Sequence, residues 1–256
     1  MGEVLEQVTD EVLLDYAERF VGVGDPFAPY WFLWTGPGFP NLPGGSDRAG
    51  QDEEAEDWHR EEASRLLTVV DRWSANRRPI CRFEELHDLA TARRYPYRKT
   101  IAAIAEACRG GPLVTPGTDF DASDADVFRA ELWPITTRGL EELGSPTIFS
   151  AFMHSARAYS AYRRIRRLHH IRAAIDQFEP SLVFMFGRSA EALWLEMPEP
   201  KADVKWKQRG SVDWAVVANR LYVSSPAPNP FYMAMREREQ LIRTVGILFS
   251  RLHRPR

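Results

Sequence analysis

Three strand-like runs in this chain each end at a Pro- or Gly-bearing loop that carries polar side chains. Tyr30-Trp31-Phe32-Leu33-Trp34 runs into Thr35-Gly36-Pro37-Gly38-Phe39-Pro40, with Asn41 just beyond. Val127 to Trp133 ends at Pro134 with Glu131 near its close, and Leu221-Tyr222-Val223 leads into Ser225-Pro226-Ala227-Pro228-Asn229-Pro230. A loop of this kind at the carboxyl edge of a parallel sheet is where open α/β folds hold their ligands. The side chains on offer are carboxylate, amide and hydroxyl, suited to hydrogen bonding and proton handling. A second group is basic: Arg157, Arg163, Arg164, Arg166, Arg167, His169, His170 and Arg172 crowd one segment, the composition that phosphates respond to. Thiol and metal chemistry are not expected. Cys81 and Cys108 are the 2 cysteines, too few for a disulfide framework, and adjacent histidines on a helix point apart.

The elements that must position these groups are legible as periodicity. Thr9 caps a helix whose apolar face is Val12, Leu13, Tyr16, Ala17 and Phe20. Helical spacing recurs over Trp58 to Trp73, Phe83 to Ala92, Tyr97 to Cys108, about Ala151 to Phe178, Ser189 to Leu195 and Met233 to Leu252. Between them lie short apolar strands at Pro29 to Trp34, Val127 to Pro134, Ser181 to Gly187 and Arg220 to Val223. Strands alternating with helices imply a mainly parallel sheet covered on both faces. With 256 residues and 44% apolar content, one domain spanning 1–256 is expected, the helix over 1–20 packing on it. The net charge of −3 conceals an acidic Gln51 to Glu62 beside the basic stripe, so nucleic acid is not excluded. The first residues lack a secretory pattern, and no apolar run approaches the ~18 residues of a membrane span. A cytoplasmic, monomeric protein without membrane contact is the corresponding expectation.

Taken in order, the loops resemble the uracil-DNA glycosylase superfamily. Gly22-Val23-Gly24-Asp25-Pro26-Phe27-Ala28 is similar to the G-x-G-N-P-x-A lead-in of its iron–sulfur branch. Phe32 to Leu42 resembles the F-L-G-M-N-P-G-P-F-G-M loop of the single-strand-selective branch. Ser225 to Pro230 resembles that branch's H-P-S-P-R-N-P loop, and Gly187-Arg188-Ser189-Ala190-Glu191 its G-R-x-A-E helix start. The similarity runs from about Val21 to Phe249. It implies a three-layer αβα sandwich around a four-stranded, mainly parallel sheet. The implied activity is that of a monofunctional DNA N-glycosylase, which hydrolyses the bond between a flipped base and its deoxyribose. The partner is then DNA, single- or double-stranded, and no cofactor or metal is implied because the cluster cysteines are missing.

The departures from the family pattern redirect the chemistry. The usual polar residue of the first loop falls on Gly36, which cannot hold a water. The second-loop histidine falls on Ser225, a neutral donor able to reach O2 of a base. The pyrimidine-reading amide falls on Glu131; an ionised carboxylate only accepts, so it suits the exocyclic amine of a cytosine-like base better than uracil O4. With Gly36 mute, Asp25 and Asn41 are the first candidates for positioning water, ahead of Asp47, which also fits a helix cap. Thr35, Gly36 and Phe39 would shape the base pocket, with Phe39 stacking. Asn229, Arg236, Arg188, Arg163 and Arg167 are the expected DNA contacts. Two settings fit, base-excision repair and defence against phage DNA with modified bases. A catalytically silent module that binds modified DNA or a nucleotide is the alternative.

Overall fold

The computed structural model describes residues 9–34, 68–81, 98–111, 126–132, 156–187, 195–198, 204–226 and 233–253. The chain divides into two compact units, each threaded from three separate segments. The first comprises Met1–Val21, Gly36–Ala90 and Glu131–His170, and the second Gly22–Thr35, Thr91–Ala130 and Ile171–Arg256.

In the first unit, α1 (Asp10–Arg19) begins where expected: Thr9 accepts a hydrogen bond from the Val12 amide at 3.4 Å. That bond satisfies one of the orphan donors of the first turn. Leu13, Tyr16, Ala17 and Phe20 are buried, Tyr16 stacking on Phe20 at 4.7 Å and meeting Trp73 edge-on at 5.3 Å. The Trp73 indole donates to the Arg78 carbonyl at 2.6 Å, fixing the turn that leads into the short strand Ile80–Cys81.

Among the described residues the second unit is built on seven strands. They are β1 (Gly22–Gly24), β2 (Tyr30–Trp34), then, beyond Ile80–Cys81 taken as β3, β4 (Val127–Glu131), β5 (Leu182–Phe186), β6 (Lys207–Arg209), β7 (Val212–Val217) and β8 (Arg220–Ser225). Their order across the sheet is β1-β4-β2-β5-β8-β7-β6. β2, β5 and β8 are parallel and in step, Tyr30 beside Leu182 beside Leu221 and so on to Trp34 beside Phe186 beside Ser225. All three are buried along their whole length, as both-face coverage demands. β1 joins antiparallel to β4, and β8-β7-β6 is an antiparallel meander. The protein is therefore mixed α/β, and the sheet is larger and less parallel than the four-stranded expectation. Ala218 and Asn219, at φ of 50° and 62°, make the two-residue turn that folds β7 onto β8. At Gly22 a Cβ would fall 2.0 Å from the Arg129 carbonyl oxygen, so only glycine lets β1 lie this close to β4.

Helices α2 (Arg98–Arg109) and α4 (Met235–His253) cover one face, over Tyr30, Phe32, Trp34, Leu182, Phe184, Phe186, Leu221 and Val223. They meet where Gly246 faces Ala107. On the other face Trp31 packs against Phe128 at 4.2 Å and against Phe178, the last residue of α3 (Ala156–Phe178), at 6.2 Å. The unit boundary falls inside α3, after His170. No helix among the described residues is long and apolar enough to cross a membrane.

Burial, with Cys108 and the carboxylates of Asp126 and Glu106 nearby, pushes the Tyr30 phenol up to about 12 against the pull of Arg109. Arg109 is itself clasped by Glu106 at 2.9 Å and by Asp126. Because the folded value lies above the unfolded one, the protonated phenol contributes stability that is complete below pH 10 and is lost as pH rises towards 12. In an alkaline titration followed by tyrosinate absorbance, Tyr30 should ionise only with unfolding. Tyr30→Phe should flatten the fall in stability across that window.

Candidate functional site

The four strands β4-β2-β5-β8 reverse direction of travel at β2: the chain moves from β2 to β4 on one side, then crosses to β5 on the other. In open α/β sheets ligands are held at such a switch point, outside the carboxyl ends of the two strands that flank it, here β2 and β5. Trp34 and Phe186 end those strands, and their rings stack 5.9 Å apart at 24°. Ser225 completes the row on β8.

Gly187 is the first residue past β5. Its φ of 117° is one that L side chains rarely adopt, and its amide donates to the Ser225 carbonyl at 3.1 Å. That bond locks the exits of β5 and β8 together while turning the chain out of the sheet. Ser225 is 5% exposed, and its hydroxyl donates to the Pro226 carbonyl at 2.9 Å. A base acceptor would have to win that proton from the backbone. None of Trp34, Phe186 or Ser225 ionises near neutrality, and the two rings are buried in the core beneath α2 and α4, so these strand ends supply a rigid frame and one hydroxyl. After β8, α4 starts with the Glu237 carboxylate accepting from the Ala234 amide at 3.0 Å, the reciprocal half of a capping box. Arg236, in its first turn, is exposed and has no ion-pair partner among the described residues.

Two of the expected site residues stand elsewhere. Asp25 lies in the turn before β2, where its carboxylate accepts from the Phe27 amide at 3.0 Å. Tyr30 to Trp34 separates this turn from the Ser225 row by about 13 Å of strand rise. Asp25 is thus at the amino edge, opposite Ser225, and cannot share its chemistry. The turn is held structurally: the Trp31 indole donates to Pro26 at 3.2 Å, and Phe27 meets Phe178 edge-on at 5.2 Å. Asp25→Ala should therefore cost about 0.5–1.5 kcal/mol of stability, one local hydrogen bond. Thermal melting checks this, and any base-release rate should stay at the wild-type level.

Arg167 is the second correction. It is 0% exposed, not a phosphate contact. Its Nε donates to Leu132 at 3.1 Å, and its Nη1 donates to the carbonyls of Glu18, at 3.2 Å, and Phe20. The last two are carbonyls at the carboxyl end of α1, where a cation also complements the helix dipole. Two further arginines of the stripe have partners among the described residues. Arg166 pairs with Glu18 at 3.3 Å, and Arg172 donates to the Met197 carbonyl at 3.2 Å. Burial, with Arg167 and His169 beside it, lowers the pKa of His170. Cys108 is buried, and that burial pushes its thiol up, away from any nucleophilic role.

Glu131 is the last residue of β4, next to β2 in the sheet. Thr35, Gly36, Phe39, Asn41, Arg188 and Asn229, and the side chains of Glu131 and Arg163, lie outside the described residues. The Trp34–Phe186 pair and the tight Gly187 exit were not among the expected site residues. Their signal was present in the glycine that directly follows a fully apolar run.

The sequence matches no known protein-family model, and no curated protein matches it significantly.

Proposed function

We propose that the protein is a DNA glycosylase of the uracil-DNA glycosylase type, acting on a modified, cytosine-like pyrimidine. One observation carries the reading. Three strands whose exits carry the resembling loops lie adjacent, parallel and in register, so that Trp34, Phe186 and Ser225 end level with one another. A flipped base needs such a convergence of short loops on a rigid frame. In this proposal β4-β2-β5-β8 corresponds to the four-stranded core of the family, with the antiparallel strands as additions. Glu131 accepts from the exocyclic amine of the base, and Ser225 donates to O2 after rotating away from Pro226. Phe39 stacks on the base, and Asn41 takes over from Asp25 as the group that positions water. The glycosidic bond breaks with oxocarbenium character at the sugar, water adds to C1′, and the base leaves carrying the electron pair and then a proton. Arg236 and Asn229 meet the DNA backbone.

The test is incubation of the purified protein with DNA bearing uracil, hydroxymethylcytosine or glucosylated hydroxymethylcytosine, followed by alkaline cleavage at abasic sites. Cleavage confined to a cytosine-like base is the expected outcome; no abasic product from any of them removes the enzymatic reading. The silent binding module has one observation in its favour, the Ser225 proton already committed to Pro226. It predicts salt-dependent DNA binding without turnover, unchanged by Asn41→Ala.

A further inference from the structure

The far edge of the sheet carries a feature that the proposed chemistry does not use. β6 is the outermost strand, and Lys207, Gln208 and Arg209 are all exposed. Lys207 lies opposite Trp214 and Arg209 opposite Val212 on β7, so the two cations share the face that carries Trp214. Val216, two residues further along β7 on that same face, is an exposed apolar side chain. Lys207 Nζ sits 4.8 Å from the centre of the Trp214 ring, which is half-buried because it also packs against the core. Lys205, two residues before Lys207, is exposed as well. Among the described residues no carboxylate lies within ion-pair distance of Lys205, Lys207 or Arg209. The approach to the hairpin is pinned by the Trp206 indole, which donates to the Leu195 carbonyl at 3.2 Å.

We infer that the exposed margin of this face, at the β6–β7 edge beyond the part that α2 and α4 cover, binds single-stranded nucleic acid. Alternate residues along a strand repeat every ~6.6 Å, which places the cations in a row comparable to successive phosphates of an extended strand. An indole with a cation above it, beside exposed apolar surface, is the composition on which unpaired bases stack while phosphates meet the charges. A duplex hides its base faces and cannot use the indole. In a chain whose net charge is −3, unpaired positive charge gathered at one edge is a local field of the sign that draws a polyanion. Edge-strand lysines also discourage sheet-to-sheet pairing, but that role needs neither the indole nor the shared face.

Fluorescence anisotropy with a short labelled oligothymidylate, titrated over a range of salt concentrations, tests the inference. The variant Lys205→Gln/Lys207→Gln/Arg209→Gln changes only exposed side chains. It should bind at least about tenfold more weakly at low salt, and its salt slope should fall by about 2, the release expected for three phosphates. Trp214→Phe should remove the quenching of tryptophan emission that accompanies binding. Unchanged affinity and slope in the triple variant would overturn the inference, as would absence of oligothymidylate binding by the wild type. Equal competition by polyglutamate would point to an acidic protein partner instead, and self-association of the triple variant with unchanged DNA binding to edge protection alone; either outcome overturns it. Binding is read without turnover, so failure of the glycosylase reading leaves this result standing, and the reverse holds too.

Discussion

Arg167→Met should lower the free energy of unfolding by about 3–5 kcal/mol, the scale of uncapping buried carbonyls that had shared one guanidinium. Methionine keeps most of the volume, so the loss reports hydrogen bonding rather than a cavity. The carbonyls of Leu132, Glu18 and Phe20 converge on one side chain, and each contact is charge-assisted. Lysine cannot substitute: its single ammonium offers no planar fork to reach carbonyls in divergent directions, so Arg167→Lys should recover only part of the loss. Urea unfolding curves give the comparison, provided the slope is unchanged so that the midpoint measures stability. DNA binding by the folded Lys variant should keep the wild-type salt dependence. A stability loss below about 1 kcal/mol together with weaker DNA binding would return Arg167 to the phosphate-contacting role suggested by its place in the basic stripe.

Trp31→Ala should cost a comparable amount, about 3–5 kcal/mol, because it empties a fully enclosed site. Trp31 is 0% exposed, its ring lies against Phe128 and Phe178, and its indole nitrogen holds the Pro26 carbonyl. Trp31→Phe separates the contributions: most packing remains while the bond to Pro26 is lost, so about 1–2 kcal/mol is expected. The consequence reaches the candidate site, since Trp31 sits in the middle of the register that sets Trp34 level with Phe186. Chemical unfolding gives the energies. Near-ultraviolet circular dichroism of Trp31→Phe should retain the signal of the Trp34–Phe186 stack. A loss below about 1 kcal/mol for the alanine variant would contradict the enclosed packing.

Much of the architecture was legible in the sequence because long-range packing and local pattern agree there. β2 and β5 are uninterrupted apolar runs, β8 has Leu221-Tyr222-Val223 at its centre, and α2, α3 and α4 end within a few residues of where their periodicity and flanking Gly or Pro place them. The β6–β7 hairpin was not legible. Lys207-Gln208-Arg209 is an edge strand exposed on every residue, so it has no hydrophobic period to betray it. Nor did sequence disclose that Asp25 and Ser225 belong to opposite ends of the sheet. Asp25 precedes β2 and Ser225 ends β8, so their separation follows only once the two strands are known to run parallel. Arg167 misled for a different reason. An arginine within a charge run reads as solvated unless one knows that three carbonyls converge on its position, and such convergence is a property of tertiary structure alone. The Asn41 loop and Glu131 remain the parts of the candidate site for which sequence is the whole argument.

The register of the parallel strands also dictates when this protein can fold as it is made. Tyr30 pairs with Leu182, about 150 residues downstream, and β5 in turn waits for β8. At typical elongation rates the ribosome needs on the order of 10–30 s to cover that distance. For that interval Tyr-Trp-Phe-Leu-Trp has emerged with its β5 side unpaired, though β4 on its other side is made sooner, and five consecutive apolar residues of high strand propensity are a template for wrong pairing. The strand that anchors the candidate site is therefore also a segment exposed to wrong pairing during synthesis, and lowered temperature or a co-expressed holdase should raise soluble yield.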